Sequence, residues 1–134
     1  MLPPDASTAD VRDLIHRYYA SLFPKTCPHC GRGFQTLREY VEATVPAGRY
    51  ISYDVDAGHF APERLVGTYA FANCPCGDTL ALGTDGLPHE TRLALLAWVQ
   101  AEAARRSMAA TEFLDWLRTT LRQQILAESG PPAA

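Results

Sequence analysis

A chain of 134 residues, 47% of them hydrophobic, can bury about two thirds of the surface its unfolded form exposes, so one compact domain with its own core is expected. The net charge of −3, with Lys25 the sole lysine and arginines that adjoin only at Arg105 and Arg106, argues against a dedicated nucleic-acid binder, which would offer positive charge to phosphates. No apolar run reaches membrane-span length, and the opening MLPPDASTAD lacks the basic and apolar regions of a secretion signal, so a cytoplasmic protein with no membrane role is expected.

From Thr8 to Phe23, Val11, Leu14, Ile15, Tyr18 and Leu22 recur at helical spacing behind Ser7 or Thr8 as N-cap, which predicts an amphipathic helix ending before Pro24. A glycine-rich turn with Cys27 and Cys30 follows. Thr36 and Glu39 then form a capping box for a short helix to about Ala43, closed by Pro46 and Gly48. YISYDV, residues 50–55, alternates apolar and polar residues as a half-buried strand does. A second strand is expected from about Leu65 to Cys74 and a third over TLALG, which puts Cys74 and Cys76 at the turn of a β-hairpin. Beyond Pro88, which suits the first turn of a helix, two helical stretches separated near Ser107 predict an antiparallel hairpin. The first is apolar over a wide arc through Leu93, Leu95, Leu96, Trp98 and Val99. The second carries a stripe of Phe113, Leu114, Leu117, Leu121 and Ile125, widened by Trp116. This surplus of apolar surface must cover the cysteine-bearing half or a second chain.

In a compartment where thiols stay reduced, two tight cysteine pairs read as metal ligands or redox groups rather than structural disulfides. CPHC matches the redox motif of DsbA-type oxidoreductases, but that chemistry needs the first cysteine at a helix N-terminus and the second in its first turn. Here Gly31, Arg32 and Gly33 follow Cys30, and each glycine disfavours a helix by roughly 1 kcal/mol. A metal-binding turn explains the same residues directly. Its backbone N–H groups point at sulfur, and the residue after the second cysteine often needs a positive φ, which glycine supplies at Gly31 and again at Gly77. Cys74 and Cys76, with Pro75 between them, lie on one face if the chain is extended, and the ring of a disulfide between them would be strained. Together Cys27, Cys30, Cys74 and Cys76 would close a tetrahedral site around zinc, with iron the other metal such a cage accepts. His29 falls between ligands as an exposed turn residue.

CPHCG followed further along by LVGTYAFANCPCG resembles the zinc-ribbon-like CpXC domains of bacteria, in which two CPxC turns are separated by a stretch ending in a β-strand. The resemblance covers about residues 25–83 and implies metal binding by Cys27, Cys30, Cys74 and Cys76. The second turn is one residue shorter than the family's pattern. Asp54, Asp56 and His59, with Glu63 nearby, lie in DVDAGHFAPE and suit a polar loop better than a second site. His16 falls on the weaker face of the first helix and His89 at a helix start.

The expected fold is α+β: a small antiparallel sheet with four-cysteine zinc-ribbon-like knuckles, an N-terminal helix and a C-terminal helical hairpin. Residues 1–86 would form the helix and zinc-ribbon-like domain, 87–128 the hairpin packed on it or on a partner, and 129–134 a disordered tail. The expected function is that of a non-catalytic zinc-binding interaction or regulatory module, with a protein partner or self-association through the C-terminal helices. The alternatives are a thiol-disulfide oxidoreductase or redox switch using CPHC and, on less support, a nucleic-acid-binding zinc ribbon.

Overall fold

A computed structural model describes residue 3 and residues 5–52 and 68–128. In chain order the elements are α1 (Thr8–Ser21), β1 (Lys25–Thr26), β2 (Gly33–Phe34), α2 (Leu37–Ala43), β3 (Val45–Ser52), β4 (Thr68–Asn73), β5 (Thr79–Gly83), α3 (His89–Arg105) and α4 (Ala110–Glu128). The class is α+β, as expected. β1 and β2 pair as an antiparallel ribbon, and β3, β4 and β5 form a separate antiparallel sheet in that order.

Local chemistry sets most boundaries. Ser7 and Asp10 form a full capping box at α1, with the Ser7 hydroxyl accepting from Asp10 N–H and the Asp10 carboxylate accepting from Ser7 N–H. At α2 the box is split: Thr36 Oγ1 accepts from Glu39 N–H, but the Glu39 carboxylate takes the N–H of Gln35 rather than that of Thr36. Helix α1 ends at Ser21, two residues before the expected Phe23, and Leu22 serves as its C-cap. Pro88 stands one position ahead of the first helical residue of α3.

The strand expected over 50–55 begins at Val45, five residues earlier, and its part from 53 onward lies outside the described residues. Pro46 therefore does not merely stop α2. It is a strand residue opposite Ala72, in a strand that lies at the sheet's edge among the described residues, where proline is tolerated. Gly48, with φ 63°, sits where the register slips between Ala47 and Ile51, so it serves a bulge. The expected 65–74 strand is β4, described from Thr68, and Cys74 lies just past its end.

The helical hairpin lies against the rest of the chain. One apolar cluster joins Val11 and Ile15 of α1, Leu37 and Val41 of α2, Ala72 and Leu82 of the sheet, Leu95, Trp98 and Val99 of α3, and Phe113 to Ile125 along α4. The wide apolar arc of α3 is thus used inside the chain, with Leu95, Leu96, Trp98 and Val99 all buried. Polar ties fix the packing. Trp98 Nε1 donates to Ala6 O at 2.8 Å, and Arg106 donates to Thr8 Oγ1 at 2.9 Å. Arg122 of α4 donates to the carbonyls of Val41 and Thr44 at 2.6 and 2.8 Å, which satisfies the open C-terminal end of α2. Trp116 lies at the surface, stacked on Phe113 beneath the Arg106 guanidinium.

Candidate metal centre

The four cysteines come from two hairpin turns that face each other. The first turn spans the β1–β2 ribbon, where Cys27 N donates to Arg32 O and Gly31 N to Cys27 O, both at 2.9 Å. The second spans β4–β5, where Cys74 N donates to Asp78 O and Gly77 N to Cys74 O, both at 2.8 Å. Gly31 has φ 79° and Gly77 has φ 97°, the left-handed conformation expected of both. A hydroxyl-to-amide bond from Thr79 to Asn73, 2.9 Å, ties the strands together at the mouth of the second turn.

Cys74 and Cys76 converge by a different route from the one expected. The chain is not extended through them. It makes a tight turn closed by the Gly77 to Cys74 bond, which buries Cys74 and leaves Cys76 exposed. The first turn is arranged the same way, with Cys27 buried and Cys30 exposed.

All four sulfurs lie within 4.8 Å of one another, and all four cysteines are free thiols. The closest pairs run between the turns: Cys27 to Cys76 at 3.8 Å and Cys30 to Cys74 at 3.7 Å. A tetrahedron with sulfur about 2.3 Å from its centre has edges of about 3.8 Å. The arrangement therefore fits a four-thiolate metal site with little movement. Among the described residues this is the cluster of Cys, His, Asp and Glu able to hold a metal ion. His29 is exposed beside it, as expected, while Asp54, Asp56, His59 and Glu63 lie outside the described residues.

The crowding of the four sulfurs divides their protonation. The Cys27 thiol is lowered to about 7, first by the backbone N–H of Cys30, with the N–H of His29 adding to it against the cost of burial. Cys76 is pushed up to about 12: the Asp78 N–H favours its thiolate, but burial and the neighbouring Cys74, Cys30 and Cys27 sulfurs outweigh that. Cys74 is raised as well, the help of the Cys76 N–H being overcome by burial and by the Cys30 and Cys27 sulfurs. Four sulfurs this close cannot all ionise without positive charge among them, which a divalent ion would supply.

Two contributors were not singled out from the sequence. Asp78 meets three ligands: its backbone N–H points at Cys76 sulfur, its carbonyl accepts from Cys74 N, and its carboxylate lies 4.0 Å from Cys27 sulfur. Its place directly after CPCG was the available signal. Tyr40 is buried under the first turn, its ring edge-on to Phe34 at 5.4 Å and tilted on Phe23 at 5.5 Å. Its hydroxyl is pushed up to about 12, chiefly by burial, with Arg122 opposing and Cys74 adding to the shift. Only the fold brings Tyr40 here.

The redox geometry does not form around CPHC. The residues after Cys30 lead through Gly31 into β2 rather than into a helix, so Cys27 does not stand at the start of a helix as that chemistry requires. No helix among the described residues is long and apolar enough to cross a membrane. Comparison with family models, curated proteins and solved structures returned no match.

Proposed function

We propose that this is a non-catalytic zinc-binding protein, in which the metal is structural and the folded chain works as a cytoplasmic interaction or regulatory module. The observation that carries this reading is the four-sulfur cluster, whose inter-turn distances of 3.7 and 3.8 Å match the edges of a zinc–thiolate tetrahedron. Four protein ligands fill such a shell and leave no position for substrate, so the ion's work is to hold the two turns together. The likeness of the turns to those of CpXC domains agrees with this reading. Iron in the same cage would favour electron transfer instead.

For a protein partner or a second copy, the surface to test is α4, where Trp116 and Leu126 are exposed. A single monomeric species in analytical ultracentrifugation at high protein concentration would remove self-association from this proposal. The metal role is tested by Cys30→Ser and Cys76→Ser, each of which exchanges an exposed ligand. The expected result is loss of metal and of thermal stability together. A variant that lost its metal and kept its melting temperature would rule out a structural ion.

A further inference from the structure

The two turns divide their sulfurs in the same way. Each offers one exposed sulfur, Cys30 or Cys76, and one buried sulfur, Cys27 or Cys74, with the buried residues only 1% and 3% exposed. The close contacts cross from turn to turn and always join an exposed sulfur to a buried one: Cys76 to Cys27 at 3.8 Å and Cys30 to Cys74 at 3.7 Å. An accessible cysteine with a second cysteine close enough to resolve it is the geometry found at oxidant-sensitive sites, and in a metal-loaded cage all four would be thiolates.

From this we infer that the cluster is also a thiol-modification site for hydrogen peroxide, which converts it from a metal cage into two disulfides joining the turns. The inference rests on the metal-binding reading above. The Cys30 thiolate attacks one peroxide oxygen, the O–O bond breaks, and the departing hydroxide takes a proton from solvent, leaving Cys30 as a sulfenic acid. The Cys74 thiolate then attacks the Cys30 sulfur, the S–O bond breaks, and a second hydroxide leaves as water. Two thiolates have lost one electron each, and one peroxide has become two waters. Cys76 and Cys27 react in the same way with a second peroxide. The site is left with no thiolate to hold a cation.

The pairing follows from the geometry. Closing either cross-turn bond shortens a sulfur separation of 3.7 or 3.8 Å to about 2.05 Å. The backbone of both turns is held by its own hydrogen bonds, so side-chain rotation supplies most of that change. Pairing within turns is poorer, because a Cys74–Cys76 ring is strained and a Cys27–Cys30 bond would leave those two sulfurs unpaired. The cross-turn product also keeps the β1–β2 ribbon fastened to the β4–β5 hairpin, so oxidation releases metal without separating them.

The test uses the full chain, loaded with zinc and titrated with hydrogen peroxide. Zinc content is measured before titration, release is followed with a chromogenic chelator, and disulfides are located by fragmentation of unreduced digests. The expected result is complete loss of bound zinc together with Cys27–Cys76 and Cys30–Cys74 cross-links, reversed by dithiothreitol and added zinc. A dominant Cys27–Cys30 disulfide, sulfinic or sulfonic acids without cross-links, or zinc retained under excess peroxide would each overturn the inference while leaving the metal site standing. A chain that takes up no zinc before peroxide is added would overturn the metal reading itself, and this inference with it.

Discussion

The cysteine-bearing turns and the helical half of the molecule are held by different physics. Along α4, Phe113, Leu114, Leu117, Leu121 and Ile125 are all buried, and α1 and α3 add Val11, Ile15, Trp98 and Val99 to the same cluster. Burial of this kind contributes roughly 1.5–3 kcal/mol per large side chain and needs no cofactor. The turns have little of it. β1 and β2 are two residues each, and around them Pro28, His29, Cys30, Gly31, Arg32, Pro75, Cys76 and Gly77 are exposed. A ribbon so short is not stable alone: Phe34 anchors one end of it in the core, and an ion held by the sulfurs would fix the turn itself. Where apolar burial is plentiful it specifies the structure. Where it is sparse, four clustered sulfurs stand in its place, and a cation held by them would complete the support.

Metal removal should expose this contrast most sharply. Structural zinc contributes about 10–16 kcal/mol of apparent folding energy in small domains, so a strong chelator at neutral pH should strip amide-exchange protection from residues 25–34 and 73–79 well before α4. Equal protection of both regions after chelation would erase the distinction drawn here. On the other side of the comparison, Phe113→Ala removes a fully buried ring and should cost about 3–5 kcal/mol in urea unfolding while metal content stays unchanged. Arg122→Met probes the join between the halves. It leaves the Val41 and Thr44 carbonyls without their guanidinium donor, and a loss of about 2 kcal/mol is expected, again at constant metal content. The smallest effect belongs to Gly31→Ala. A Cβ there meets nothing within 4 Å, so the only cost is holding alanine at φ 79°, about 1–2 kcal/mol, read as faster metal loss to a chelator.

The same division explains what could be read without coordinates. The helices announce themselves because burial repeats every three or four residues over many turns, and the caps at Ser7 and Thr36 mark where they start. The four-cysteine cluster is also legible, since proline and glycine around each cysteine pair encode a turn with a positive φ. β1 and β2 leave no trace, because two residues cannot display a period. The start of β3 is hidden by Pro46 and Gly48, which look like breakers until the sheet order among the described residues shows β3 at an edge with a bulge. The wide arc of α3 left open whether it covers the rest of the chain or a second one, and Trp98 is buried inside the chain, with its indole N–H on Ala6 O. Tyr40 and Arg122 are placed by contacts far apart in sequence, which no local pattern records.

The central claim is that four cysteines close one metal site, and metal analysis tests it most directly. Protein purified reduced, with neither metal nor chelator added, should carry one zinc per chain by mass spectrometry of its elements, with no significant iron. Metal-free protein with four freely reactive thiols would contradict the account.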